Sequence, residues 1–431
     1  MSHRLGSSSV EEVASAIRSC DNDRIEQLVE MLATGLAAVD PERTVADVLA
    51  RDPNRGGHVA VVAVGKSAAA MARGAARGLD VERVGGVAVC DHVEEVPDGI
   101  ELIVTSHPTP DQSSVAAANR LLDLVAGVEK GCNILFLISG GGSSLVEIPA
   151  EGLSLLELVD TWQLLTRVGA HIEEVNTVRT HLSAIKGGRL AAAAPEPTTT
   201  IVISDVAGGR VDLVASGPTV TCTTAPRDAL DVLFKFDLTD RVSRRVVETL
   251  AHRPPPPAVV SRRVILAAEG KTAAEAIANS LEEGAVVTTR LCGHAAEAAV
   301  WAVDSTPPGA IGVFSGETTV EVTGGGRGGR NQEAALAAAL AIEGQDVVFV
   351  SFGTDGVDGP TDAAGAVVDG STAERIRRAG IEPVEALAAN DSHTALDAGD
   401  ALIRTGPTGN NVADIWLVDR RRDTSQGPWK R

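Results

Sequence analysis

The sequence predicts an α/β protein of two domains, and three observations carry that prediction. The chain has 431 residues, 44% of them hydrophobic, enough to fill more than one core. Short Val/Ile-rich runs recur, each followed by a glycine-containing turn and an Ala-rich helical stretch. These runs are apolar throughout, the pattern of strands in a parallel sheet covered on both faces. Finally, Arg253–Ala258 holds four consecutive prolines, which extend and can join neither a helix nor a central strand. The boundary is placed there, giving domains over 10–253 and 258–420.

In chain order, helical periodicity opens the sequence over Val10–Arg18 and Asp23–Ala38. A strand at His58–Val64 leads through Gly65 into a helix over Lys66–Arg77. Short runs at Gly85–Cys90 and Leu102–Thr105 precede the apolar strand Asn133–Ile138, the loop Ser139–Ser144 and a helical stretch. Thr199–Ser204 reads as a strand ending at Asp205. Beyond the prolines the alternation resumes. Strands are expected at Arg263–Ala267, Ala310–Phe314, Thr318–Thr323, Asp346–Phe352 and Ile415–Val418, with helices at Ala273–Glu282 and Glu333–Ile342. The end, Asp423–Arg431, reads as frayed.

Composition narrows the function classes. No apolar stretch approaches the ~20 residues of a membrane helix. Met1–Val10 lacks a basic-then-apolar leader, so a cytoplasmic protein is expected. Five cysteines (Cys20, Cys90, Cys132, Cys222, Cys292) stand singly, which suggests neither a zinc site nor a disulfide framework. The net charge of −20 argues against nucleic acid or an anionic membrane as partner. A small-molecule substrate is expected, with a homodimer as one candidate assembly. Only six basic residues are lysine. An acidic, Lys-poor surface suits a salt-rich cytoplasm, where screening relieves self-repulsion; a GC-rich genome gives the same bias.

In open parallel sheets ligands sit beyond the carboxyl ends of the strands, so the residues just after each strand are the candidates. Gly65-Lys66-Ser67 is not a P-loop, because position 60 is Ala and the strand runs straight into Gly65. What remains is a lysine at a strand end and helix start, where ammonium and helix dipole both favour an anion. Ser139, Gly140, Gly141, Gly142, Ser143 and Ser144 form a second loop, whose amides and hydroxyls suit a phosphate or carboxylate. Asp205 could bind Mg²⁺ or take a proton from a substrate hydroxyl. His107, in the proline-rich turn Thr105–Asp111, reads as structural.

The densest segment is Gly316-Glu317 followed by Thr323–Glu333. Glycines 324, 326 and 329 spell G-x-G-x-x-G, a dinucleotide fingerprint. However, the preceding run alternates polar and apolar residues, and Arg327 and Arg330 sit inside the loop. It therefore reads as a phosphate clamp made by Gly326, Arg327, Gly329, Arg330 and Asn331. In Gly353–Gly365, Asp355 and Asp358 join Asp205 as candidate Mg²⁺ ligands.

These segments resemble the glycerate 2-kinases that join an N-terminal Rossmann-like domain to a C-terminal MOFRL domain. The resemblance runs from about Val59 to Asp419. It adds Ser106-His107-Pro108, Asn176, Arg179–Ser183, Lys186-Gly187-Gly188 and Gly406–Val412 to the motifs above, all in family order. It implies an α/β fold of those two domains with the active site in the cleft between them. It also implies ATP-dependent phosphorylation of D-glycerate at the 2-hydroxyl, with Mg²⁺, giving 2-phosphoglycerate. Lys66, Asp205 and Arg330 are then the catalytic residues. Lys66 pairs with the transferring group or the glycerate carboxylate, and Asp205 holds Mg²⁺ or orients the hydroxyl. The chain departs from the family pattern at His393, Asn410 and Ala413, which bears on substrate and nucleotide preference. Two rival readings stay open: an NAD(P)H-dependent hydroxypyruvate reductase using Gly324–Gly329, and a non-catalytic sugar-acid sensor. The salt-adapted reading of the charge predicts a thermal midpoint that falls as KCl is withdrawn; a midpoint unchanged down to low salt contradicts it.

Overall fold

The computed structural model describes residues 23–51, 59–79, 84–129, 131–195, 198–206, 208–259, 261–281 and 285–421. The expected helix Val10–Arg18, Cys20 and the tail Asp423–Arg431 lie outside them. The chain forms two compact units. One gathers Pro41–Ser204 and Gly209–Ala267. The other gathers Asp205–Gly208, the chain from Ala268 onward and the described residues up to Asp40.

The first unit is built on β1 (Val59–Val64), β2 (Val84–Cys90), β3 (Ile100–Val104), β4 (Asn133–Ile138), β5 (Thr198–Ser204) and β6 (Ser261–Glu269). Their order is β3-β2-β1-β4-β5-β6, with the pairs from β3 to β5 parallel. This is the doubly wound order, and its direction reverses between β1 and β4, where such sheets open a crevice. The register pairs Val64 with Ile138, so both strands end level. Gly65 and Ser139 therefore lie side by side. A Cβ on Gly65, whose φ is +131°, would stand 2.1 Å from Ser139 Oγ, an approach only glycine permits. A cluster of helices completes the unit: Leu155–Arg167, Ile172–Leu182, Pro226–Lys235 and Arg244–His252 bury Leu158, Trp162, Val178, Leu233 and Leu250 together. Of these the sequence shows only one helical stretch.

The second unit holds β7 (Ala285–Leu291), β8 (Ile311–Gly316), β9 (Val348–Gly353), β10 (Gly365–Asp369), β11 (Leu402–Ile403) and β12 (Asp414–Asp419), in the order β11-β10-β9-β12-β8-β7. Here the parallel expectation fails. Only β7 and β8 run parallel; the other pairs are antiparallel. The reason is physical: β8, β9 and β12 are buried along their whole length, and an unbroken apolar run reports burial on both faces, not direction. Thr318–Thr323 is not a strand, and makes only a single bridge from Thr319 to His294. Its alternation comes from a half-exposed segment in which Val322 is 74% exposed.

The helix Arg330–Ala341 starts three residues before its expected beginning and is buried on nearly every side, which its alanines permit. Beside it Phe349 and Trp416 meet edge to face, with ring centroids 5.5 Å apart. In the same unit the helix Asp23–Ala38 sets Gly35 against Ile277 of the helix Gly270–Asn279. Among the described residues no helix is long and apolar enough to cross a membrane. The Gly65–Ser139 contact predicts that Gly65→Ala costs about 2 kcal/mol or more of unfolding free energy in urea titration. A loss below about 0.5 kcal/mol would contradict it.

Candidate active site

In the first unit the site grows from the level ends of β1 and β4. Lys66 N donates to Gly140 O at 2.9 Å, and Ser67 N donates to Ser139 Oγ at 3.1 Å. Gly141 lies in the left-handed region, where a Cβ would stand 3.0 Å from Lys66 Cγ and 3.5 Å from the His107 ring. Lys66, Gly141 and His107 are thus brought together, with the His107 ring against the loop. Ser144 Oγ donates to Pro108 O at 2.5 Å, binding the two loops to each other. Ser143 Oγ lies 2.8 Å from Ser216 Oγ, which donates to Asn176 Oδ1 at 3.1 Å. Ser139, Ser143 and Ser144 therefore hold the loop in shape, with Lys66 half-buried beside it.

In the second unit β12 lies between β8 and β9, and its register sets Asp414 opposite Gly316 and Gly353. Asp414 is fully buried and grips Arg330: Nε donates to Oδ2 at 2.7 Å and Nη2 to Oδ1 at 3.0 Å. Arg330 Nη1 meets Glu317 Oε1 at 2.8 Å. Against the desolvation that lowers it, these two carboxylates hold the guanidinium well above its ordinary pKa. The Glu317 side chain is 52% exposed. Desolvation pushes its pKa up to about 7; Arg330 opposes the rise, and Asp414, Asp205 and Asp355 add to it. Asp205, Asp355, Asp414 and Glu317 thus form one acidic neighbourhood around Arg330. Asn411 Nδ2 lies 3.4 Å from Asp205 Oδ2. Asp205 also lines a cavity of 220 Å³ with Glu269–Lys271, Ser315–Gly316 and Val412–Ala413. The helix Gly270–Asn279 starts in its wall, so its amide ends and Lys271 face the cavity alongside the carboxylates of Asp205 and Glu269.

The geometry gives several expected ligands other work. Asp358 is 2% exposed, and its carboxylate accepts from Asn331 N, Gln332 N and Gln332 Nε2 at 2.9–3.1 Å. It anchors the start of the helix and is not open to Mg²⁺. Among the described residues no group of three His, Cys, Asp or Glu is arranged to hold a metal, so the set Asp205, Asp355 and Asp358 does not form one. The Asn331 amide is spent as well: Nδ2 donates to Asp414 Oδ1 at 2.9 Å, and Oδ1 accepts from Trp416 Nε1 at 2.8 Å.

The glycine loop is a packing device. Gly326 N donates to Ala389 O, Arg327 N to Asp391 Oδ1, and Thr323 N and Gly324 N to Asn390 Oδ1. A Cβ on Gly324, Gly326 or Gly329 would strike Ala389, Asp391 or Asp358. Gly326 and Gly329 thus serve backbone contact, and only the exposed Arg327 side chain keeps its expected freedom to meet a phosphate. Sequence reasoning missed Asp414, although a charge opening the apolar run Asp414–Asp419 was a visible signal.

One unit carries a doubly wound sheet with a lysine at its switch point, and the other holds an arginine on a buried aspartate; both are features of an α/β enzyme for anionic small molecules. Residues 27–251 match the family model of a domain of unknown function, DUF4147, and residues 310–414 match the MOFRL family. The chain is 40% identical over 415 residues to a D-glycerate 2-kinase of Thermotoga maritima, covering 92% of this chain and 98% of that one. A crystal structure of glycerate kinase from the same organism superposes with a TM-score of 0.80 at 38% identity, covering 91% and 98% of the two chains. A relative from Agrobacterium vitis, 38% identical and covering 89% of this chain and 91% of its own, is named as a candidate hydroxypyruvate reductase. The chain belongs to the MOFRL-domain glycerate kinase family.

The raised pKa of Glu317 gives a signed prediction. Folded, Glu317 keeps its proton from its ordinary 4.5 up to about 7, where the unfolded chain has released it, so it opposes folding as pH rises through that window. Glu317→Gln should therefore raise the melting temperature by about 1–3 °C at pH 8 and leave it unchanged at pH 4. An equal shift at both pH values would refute the assignment.

Proposed function

We propose that this enzyme transfers the γ-phosphoryl group of ATP to the 2-hydroxyl of D-glycerate, giving 2-phosphoglycerate and ADP in the cytoplasm. The observation that carries the reading is the 40% identity, over 92% of the chain, to a D-glycerate 2-kinase. The geometry supports it, because phosphoryl transfer asks mainly for positioning and charge neutralisation. Lys66 and the Ser139–Ser144 loop supply a cation and donors at the sheet's switch point. Arg330 supplies a fork held rigid by Asp414, whose Nη1 exchanges Glu317 for a phosphate oxygen. The cavity at the start of helix Gly270–Asn279 suits the remaining phosphates. Asp205 orients the attacking hydroxyl or meets the cation that accompanies ATP. Such Mg²⁺ needs only one or two protein carboxylates, for which Asp205 and Asp355 are suited, and it would neutralise phosphate charge there.

The reductase reading is disfavoured by the glycine loop. Its fingerprint follows no strand, and the amides that would cradle a pyrophosphate are bonded to Ala389, Asn390 and Asp391. The test supplies ATP, Mg²⁺ and D-glycerate, then adds enolase without a mutase. Formation of phosphoenolpyruvate is expected, with Lys66→Ala and Arg330→Ala each lowering kcat/KM by about 100-fold or more. Product that enolase ignores, or variants that keep near-parent turnover, would refute the reading.

A further inference from the structure

Arg179 stands on the helix Ile172–Leu182, one turn after Asn176. Through the Asn176–Ser216–Ser143 hydrogen bonds that turn is tied to the Ser139–Ser144 loop. The Arg179 guanidinium lies over the Trp162 ring, with Cζ 4.3 Å from the ring centroid. Its Nε is buried without a hydrogen-bond partner among the described residues, and so is Trp162 Nε1. Two residues in contact thus each carry a buried donor, one of them on a cation, that lacks an acceptor among the described residues.

The described residues do not offer one. Glu147, the carboxylate that acts on Arg179, is fully buried and already engaged: Lys186 Nζ lies 2.5 Å from Oε2, and Ser183 Oγ donates to Oε1. Two further cations stand around the same helix end. Arg189 donates to the carbonyls of Thr180 and Lys186, and Arg253 to those of His181 and Ser183. His181 adds no countercharge. Desolvation lowers Arg179 to about 10, so it stays charged at neutral pH. A desolvated guanidinium with open donors is costly by itself, and a carboxylate removes that cost by accepting on two oxygens. Arg179 retains some solvent contact, so a small anion can reach it.

We propose that Arg179 binds the carboxylate of the acceptor substrate, with Trp162 holding the guanidinium and supplying a second donor. The inference rests on the glycerate kinase reading and assigns the acid-recognising residue of that same reaction. It places a cation for the carboxylate apart from Lys66, leaving Lys66 for the transferring group. The neutral analogue that tests it is the methyl ester of D-glycerate, which keeps both hydroxyls and loses the charge.

Binding is measured first without ATP, as the rise in melting temperature with D-glycerate against the ester. The parent protein is expected to respond to the acid and not the ester, and Arg179→Met to respond to neither. In turnover, Arg179→Met is expected to raise KM for D-glycerate about 100-fold with KM for ATP within about twofold, and Arg179→Lys to recover part of the loss. A folded Arg179→Met that keeps the parent's KM and its acid-over-ester preference overturns the proposal. If Arg179→Met does not fold, tryptophan fluorescence of the parent decides instead. A change on adding D-glycerate that disappears in Trp162→Phe supports it; no change, or one that persists in Trp162→Phe, overturns it. A parent that binds the acid through Arg179 but forms no ADP would leave the inference standing and defeat the kinase reading.

Discussion

Two parallel strands that end at one level, β1 and β4, place the backbone of Gly65 against Ser139 with no room for a side chain. Much of the first unit's chemistry follows from that contact. It turns the chain so that Lys66 lies over Gly141 beside His107, and it lets Ser139 Oγ accept from Ser67 N at the start of the next helix. The crevice at a sheet's switch point is a property of topology, but the identity of the group that fills it is set by this register. A lysine one residue later or earlier would face another direction.

The second unit uses a different device. Two buried carboxylates, Asp358 and Asp414, arrange the first turn of the helix Arg330–Ala341. Asp358 takes the helix amides and Asp414 takes the guanidinium fork. Arg330 is held in place before any ligand arrives, which is how an arginine contributes most to a charged transition state. Glu317 completes the fork from the solvent side. In the glycine-rich run before this helix, which looks like a ligand loop, Gly324 and Gly326 serve the close approach of Ala389 and Asp391.

The fold was legible where burial and periodicity coincide. β4 was read with its true limits, and β1, β5, β9 and β12 within two residues, because strands buried on both faces leave unbroken apolar runs. Strand direction in the second sheet was not legible, since burial is the same for either direction. The short β11 and all but one of the helices around Trp162 were also missed, their packing being set by distant partners. At the site, Lys66, Asp205 and Arg330 stood out because glycines or strand ends frame them. Asn331 and Asp358 were read as ligands because an amide and a carboxylate beside glycines look the same in sequence whether they meet a phosphate or a helix end. Glu147 and Lys186, a buried ion pair, gave no local signal that they meet.

In the proposed reaction the phosphoryl group ends on the hydroxyl next to the carboxylate. Phosphorus-31 NMR of a reaction containing ATP and D-glycerate tests this most directly. A phosphate on the 2-oxygen couples to one methine proton and gives a doublet growing with ADP, which is the predicted result. A triplet, from coupling to a methylene, or the absence of any new phosphate ester would contradict it.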